Sequence, residues 1–283
     1  MGQISSSAVP EPLVSVCLPV FNGEHYLAEA VRSILAQTHR NFELLIFDDA
    51  STDASWPLLN TFHDPRLVLH RNDRNRGPER NWNQAMAAAK GRYIKLFHQD
   101  DLLAPDCLAR QVEALEGAPE TVLTFCSRNI IRSNGTRLMS RAASWPEGLI
   151  AAPDLVRECV KAGTNLIGEP SAVLFRRESA ARTGGFDGSI PYLIDLDYWV
   201  RLMEHGSAYC MKLPLASFRI SSHQWSVAIG RQQSQQFIAF MDRLTDMDRF
   251  HLGLLIQLRG RLMARMNGLL RAMMYYLVVR DSR

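Results

Sequence analysis

What most constrains this chain is an alternation in its N-terminal third. Four short apolar runs, Val14–Leu18, Phe42–Phe47, Leu67–Leu69 and Tyr93–Phe97, are separated by stretches with helical spacing. After the first run, which Pro19 is expected to close, Tyr26, Leu27, Ala30, Val31, Ile34 and Leu35 recur on one helical face. Asn22 stands where an N-cap would serve that helix. Glu79 to Ala89 predicts another helix, stopped by Gly91. Short apolar runs alternating with helices fit parallel strands buried on both faces, because the crossover helices cover the sheet. The chain is therefore predicted to be α/β, with a Rossmann-like, mostly parallel sheet and helices on both faces. A helix over 105–116 and a strand over 121–127 follow. The pattern then loosens from about 128 to 170, around Ser133-Asn134-Gly135 and Trp145-Pro146-Glu147-Gly148. Order resumes with Ser171–Phe175 and a helix beginning near Asp195.

Three polar segments lie at the ends of the apolar runs: Pro19-Val20-Phe21-Asn22, Asp48-Asp49 and His98-Gln99-Asp100-Asp101. In an open parallel sheet the carboxyl ends of the strands share one edge, and ligands bind in the crevice outside it. Either Asp48 or Asp49 could cap the following turn. Adjacent acids at a strand end point differently, so at most one is expected to face the crevice, accepting a hydrogen bond from a base or ribose. An acid such as Asp100 or Asp101 beside a diphosphate repels it unless a cation lies between. Mg²⁺ or Mn²⁺ takes carboxylate and phosphate oxygens together, and the other acid of the pair is expected to cap the helix near Pro105. Arg80, at a helix start, could face an anion together with the helix N-terminus. Asp197 has Arg201 four residues on, a surface pair by spacing, whereas Asp195 has no such partner and can point into the crevice as a general base. His223 stands alone.

With 283 residues, 47% of them apolar, the chain is long enough for a buried core, and a net charge of +3 is too small to imply nucleic acid. Five scattered cysteines without a CxxC pair read as reduced thiols, and with no secretory pattern the expected compartment is cytoplasmic. Residues 1–12, rich in Ser and Pro, are expected to form a loose tail. At the other end, residues 231–283 hold nine arginines against four acids, interleaved with Leu, Met, Ile and Tyr. Such a basic amphipathic helical extension suits peripheral contact with an anionic membrane surface; a hairpin packed on the rest of the chain, or a homodimer contact, would also use it.

Taken together, the motifs resemble glycosyltransferase family 2. Val14–Asn22 resembles that family's opening strand and nucleotide loop, and Phe42–Asp53 its second strand and acidic turn. Asn75-Arg76-Gly77 with Arg80-Asn81, then Gly91–Ile94, continue the pattern in order. Gly184-Gly185-Phe186-Asp187 followed by Asp195–Trp199 resembles the segment around the catalytic base. The resemblance covers about residues 13–225. It implies a GT-A fold with a nucleotide-binding half (13–127), an acceptor half (128–225) and the extension over 226–283. The activity it implies is inverting transfer from a nucleotide-sugar donor, usually a UDP-sugar, to a carbohydrate or lipid-linked acceptor in surface polysaccharide, lipopolysaccharide or lipid-linked oligosaccharide synthesis.

Residue by residue, the resemblance implies that Phe21 packs on the nucleobase in a pocket shaped by Pro19, and that Asp49 binds the base. Arg80 would sit near base and phosphates. Asp100 matches the last acid of the DxD-type metal motif, holding Mn²⁺ or Mg²⁺, and Asp195 the catalytic base. His223 resembles a histidine near the metal, and Glu169, in Gly168-Glu169-Pro170-Ser171, an acceptor-side loop residue. His98 departs from the pattern, because relatives place an acid at the first DxD position. A nucleotidyltransferase would need a Gly-rich, basic loop after the first strand, and a dinucleotide-binding dehydrogenase GxGxxG; neither is present. A non-catalytic sugar-nucleotide sensor would have no need to keep Asp100 and Asp195.

Overall fold

The computed structural model describes residues 14–221, 232–246 and 250–280; the expected tail 1–12 and His223 lie outside them. Strands β1 (Val14–Val20), β2 (Phe42–Asp48), β3 (Leu67–Arg71) and β4 (Tyr93–Leu96) form a parallel block in the order β3-β2-β1-β4. Beyond it lie β5 (Leu102–Leu103), β6 (Thr121–Ile131), β7 (Arg137–Arg141), β8 (Gly148–Ile150), β9 (Val173–Arg176) and β10 (Ser207–Arg219). The sheet continues from β4 through β9, β6 and β10 to β5, while β7 pairs with β6 and β8 with β10. β9 runs antiparallel to both neighbours and β6 and β10 are parallel to each other, so the expected parallel block is joined to a mixed second half.

Helices cover both faces. On one, α1 (Leu27–Leu35) and α4 (Cys107–Gly117) bury Leu27, Val31, Ile34, Leu108 and Leu115 against Val16, Leu18, Leu44 and Ile46. On the other, α3 (Pro78–Ala87) and α7 (Ile194–Leu202) bury Trp82, Ala85, Leu196 and Trp199 against Cys17, Leu45, Phe47 and Leu96. At about 1.5–3 kcal/mol per fully buried large apolar side chain, these two layers dominate the fold's stabilisation. Three shorter helices complete the set: α2 (Ser55–Leu59), α5 (Ala152–Ala162) and α6 (Arg177–Thr183). All five cysteines are buried free thiols.

Several expectations are corrected. Pro19 does not close β1 but lies within it, opposite Phe47 of β2. The pairing of β1 with β4 ends at Cys17–Leu96, so the missing Pro19 N–H falls where β4 has already stopped. The region 128–170 is more ordered than its turn signals suggest, holding β7, β8 and α5. β10 escaped the reading because its register breaks around Met211–Pro214, which destroys the period-2 pattern.

The C-terminal extension forms two helices, α8 (Gln233–Asp246) and α9 (Leu254–Arg280). Phe237, Phe240, Met241 and Leu244 of α8 join the core beneath α7. α9 crosses the end of α5, where Gly163 has φ +61° and a Cβ would lie 2.3 Å from the Ala264 nitrogen. Only glycine fits both constraints. Asn267 donates to the carbonyls of Ala162 (2.7 Å) and Gly163 (3.1 Å), satisfying acceptors left open at that helix end. No helix among the described residues is long and apolar enough to cross a membrane.

Candidate active site

Beyond β1 the chain is stitched to the acidic turn that follows β2. Asn22, at φ 48°, does not cap α1, whose first turn has no side-chain cap. Its Oδ1 instead accepts from the Thr52 N–H at 2.9 Å, while the N–H groups of Asn22, Gly23 and Glu24 donate to Ser51, Ser55 and Asp53. Those bonds hold Phe21 at the crevice mouth, 44% exposed. Gln99 clasps the Phe21 backbone from the third segment: its Oε1 accepts the Phe21 N–H (2.9 Å) and its Nε2 donates to the Phe21 carbonyl (3.0 Å).

The two adjacent acids divide as strand geometry requires. Asp48 is buried, accepts from the Ser51 N–H and pairs with Arg71 at 3.2 Å, so it serves the turn. Asp49 lines the crevice. Its Oδ1 accepts from Asn72 (2.7 Å) and the Arg76 N–H (2.9 Å), and its Oδ2 from the Gly77 N–H (2.9 Å). At about 1.5–3 kcal/mol for each hydrogen bond to a charged group, Asp49 pins the Asn75–Gly77 loop firmly. A lone pair on Oδ2 is left for a donor from the crevice.

At the end of β4 the second acidic pair also divides. Asp101 is fully buried; it accepts from Ser171 Oγ (2.5 Å) and the Arg219 N–H (3.1 Å), tying the turn before β9 and the end of β10 to this corner. It does not cap α4, whose N-cap residue is Asp106. Burial and the charge of Asp100 push the Asp101 carboxyl well above the usual carboxylate range. Asp100 lines the cavity, its carbonyl held by Arg219 Nε at 2.8 Å. Nitrogen and oxygen atoms of His98, Asp100 and Asp101 lie within 4.8 Å of one another. Burial lowers the His98 pKa, which favours the neutral imidazole, and its Nε2 is buried without a hydrogen-bond partner. A neutral imidazole beside the Asp100 carboxylate is a donor pair that fits a divalent cation.

Across the cavity, Asp195 stands in the first turn of α7. Its Oδ2 accepts from Asn165 Nδ2 at 3.0 Å, and Oδ1 takes the Leu196 N–H at 2.7 Å. Burial, and then the nearby charge of Glu169, push its carboxyl up to about 7. Glu169 is paired with Arg128. Burial pushes the Glu169 carboxyl up, but Arg128 and Arg141 outweigh it and hold the group below its usual range. Asp197 bonds Arg201 at 2.8 Å as its spacing predicts. The pair is not a surface one, because Arg243 of α8 covers Asp197 at 3.4 Å.

One cavity of about 880 Å³ brings together Pro19, Phe21, Asp49, Asp100, Glu169 and Asp195. Arg80 is exposed and lines an adjoining shallow cleft with Arg74 and Arg76, while Asn81 and Trp82 of the same helix turn inward to the cavity. The sequence reading missed Gln99, Asn165, Arg141, Tyr192 and Arg271, which also line it. Asn165 and Arg141 lie in the segment whose pattern was too loose to place, and Arg271 on a helix that sequence spacing cannot dock.

An acid-edged crevice at the carboxyl ends of parallel strands, faced by a buried carboxylate, is the arrangement that the resemblance to GT-A glycosyltransferases implies. The family model described as glycosyl transferase family 2 matches residues 15–184, and the chain belongs to that family. It is 35% identical over 208 residues to an uncharacterized protein of Mycobacterium tuberculosis, a match covering 71% of this chain and 64% of that one. It is 29% identical to TuaG of Bacillus subtilis, a glycosyltransferase named for teichuronic acid biosynthesis, over 77% of this chain and 85% of that one. Among solved structures, Staphylococcus aureus TarS in complex with UDP-GlcNAc superposes with a TM-score of 0.61 at 14% identity, covering 87% and 78% of the two chains. The mannosyltransferase PcManGT of Pyrobaculum calidifontis, in complex with GDP-Man and Mn²⁺, gives 0.60 at 19% identity, covering 89% and 74%.

Proposed function

We propose that the chain is an inverting, metal-dependent glycosyltransferase that moves a sugar from a UDP-sugar to an acceptor hydroxyl. The observation that carries this reading is that a carboxyl poised near 7, Asp195, faces the same cavity as the His98–Asp100 donor set. Phe21 and Pro19 hold the uracil, and Asp49 presents its remaining lone pair to the base. Arg80, in its adjoining cleft, adds positive charge on the nucleotide side. Asp100 and His98, with His223 as a further candidate from outside the described residues, would hold a divalent cation, whose positive charge would stabilise the departing diphosphate. The imidazole nitrogen in that set favours Mn²⁺ over Mg²⁺. Asp195 takes the proton of the acceptor hydroxyl as its oxygen bonds to C1 and the bond from C1 to the diphosphate breaks. Attack opposite the leaving group inverts C1.

The likeness to TuaG, named for teichuronic acid biosynthesis, supports a surface-polysaccharide acceptor, free or lipid-linked. Incubation with UDP-GlcNAc, UDP-glucose and UDP-galactose, each with Mn²⁺ and candidate glycan acceptors, is expected to release UDP and give a product whose C1 configuration by NMR is opposite to the donor's. A product of retained configuration would defeat the mechanism.

The outer face of α9 supports peripheral attachment at the inner face of a membrane. Leu255, Leu258, Leu262, Met266, Leu269 and Met273 form one stripe there, each between 45% and 82% exposed. Arg259 and Arg265 flank it, and residues 254–280 contain no acid. Two copies of this helix would face each other with cations alone, whereas an anionic lipid surface complements both the stripe and its flanks. At about 1 kcal/mol per Arg the pair contributes about thirtyfold in affinity. Co-sedimentation with phosphatidylglycerol vesicles is expected to exceed that with phosphatidylcholine by at least that factor, and the double substitution Leu262→Glu, Leu269→Glu to abolish it. Equal binding to both vesicles, or a dimer in sedimentation equilibrium that hides the stripe, would refute lipid attachment.

A further inference from the structure

Past Asp195 the cavity wall turns basic, and part of that wall comes from the extension. Arg141, at the end of β7, donates to the Asn165 carbonyl at 3.2 Å, and Asn165 in turn holds Asp195. Arg271 of α9 donates to the Tyr192 hydroxyl, the Thr164 hydroxyl and Gln233 Oε1 (3.0 Å), all of them neutral groups. Its guanidinium also lies 5.8 Å from the Tyr192 ring centre. Among the described residues neither Arg141 nor Arg271 makes an ion pair, because the carboxylate beside them, Glu169, is already engaged by Arg128. Burial, and the facing guanidiniums of Arg128 and Arg271, all disfavour the charged form of Arg141. Three guanidiniums thus stand against Glu169 and an Asp195 that is only partly ionised near neutrality. Arg141 shares the Glu169 charge with Arg128, so the cluster holds more cations than counter-charges; that excess is costly when half-buried, and an entering anion relieves it.

We infer that Arg141 and Arg271 bind a phosphate group carried by the acceptor, and that this contact presents the acceptor hydroxyl to Asp195. Two guanidiniums arriving from separate elements match a tetrahedral group with several oxygens; one planar fork would suffice for a carboxylate. Leu193 and Phe237 line the same end of the cavity, so the phosphate ester can carry an apolar chain or a sugar. The inference rests on reading the cavity as a donor–acceptor site. It makes α9 part of substrate recognition, in addition to any role at a membrane.

Calorimetric titration of glucose 1-phosphate, decyl phosphate and glucuronate into protein saturated with UDP and Mn²⁺ tests it. Both phosphates are expected to bind, glucuronate at least tenfold more weakly. Arg141→Gln and Arg271→Gln should each weaken phosphate binding at least tenfold with UDP affinity unchanged, and Arg271→Lys should recover part of it. Tighter binding of decyl phosphate assigns the group to a lipid-linked acceptor, and of glucose 1-phosphate to a phosphorylated glycan; both keep the inference. Phosphate binding that UDP abolishes, that survives both glutamine variants, or that glucuronate matches would overturn it. So would the absence of phosphate binding. If UDP itself does not bind, the donor reading has failed, and the same comparison on the unliganded protein still decides whether the two arginines hold phosphate. Should a glutamine variant fail to fold, Arg141→Lys and Arg271→Lys keep the charge, and a weakened, bulk-sensitive phosphate affinity in them is the expected result.

Discussion

Asp195→Asn is expected to lower sugar transfer by about 10²–10⁴-fold while leaving nucleotide affinity unchanged. The amide keeps the shape of the carboxyl and can still bond Asn165, so the cavity wall stays in place; what it loses is the ability to accept a proton. The same carboxyl dictates the pH dependence. Because burial raises it to about 7, it is protonated and idle below that value and ionised above it. The rate in the wild type should therefore climb about tenfold per pH unit below 7 and level off above it. In Asp195→Asn the residual rate should show no such limb. Glu169 adds to the upward shift, so Glu169→Gln should move the inflection to lower pH. Steady-state rates from pH 5 to 9 in the three proteins check all of this. A wild-type rate in Asp195→Asn would remove the residue from the chemistry.

The second large effect is expected at Asp100. Asp100→Ala should weaken metal-dependent nucleotide binding by on the order of 10–100-fold or more, since losing even an outer-shell partner of a metal costs that much. Transfer should fall further, because the charge on the leaving diphosphate would be left unscreened. The fold should survive, since the tie from Arg219 reaches the Asp100 backbone carbonyl. The neighbouring acid provides the contrast. Asp101→Ala removes the buried acceptor of both Ser171 and the Arg219 N–H, and should lower thermal stability by several kcal/mol. A melt and a titration on the two variants separate the acid that serves the ligand from the acid that serves the fold. If Asp100→Ala bound nucleotide as the wild type does, the metal assignment would fall.

The division between neighbouring acids shows how far the sequence could be read. Strand ends were legible because buried runs such as Phe42–Phe47 are nearly continuous, and topology then brings distant ends to one edge. That reasoning brought Pro19–Asn22 and both acidic pairs to one edge, and the family resemblance then singled out Phe21, Asp49 and Asp100. It could not say which partner each acid would find, because Asp101 is satisfied by Ser171, seventy positions away, and by a strand whose bulge erased its period. Asn22 misled for a similar reason: its side chain serves the turn after β2, not its own helix. Arg80 followed the helix start correctly but points to the cleft outside, since the inward face of α3 belongs to Asn81 and Trp82. The basic extension was left open by the sequence as a membrane surface, a hairpin packed on the rest of the chain or a homodimer contact. Its inner face packs on α5, and Arg271 reaches the cavity, through tertiary contacts that no spacing rule encodes.

The most direct test of the whole account is calorimetry of UDP binding to the purified protein, with Mn²⁺ and with a chelator. The account predicts binding at least tenfold tighter with the metal, and loss of that gain in Asp100→Ala. UDP affinity indifferent to the metal, or no affinity for UDP, GDP or dTDP under either condition, would contradict it.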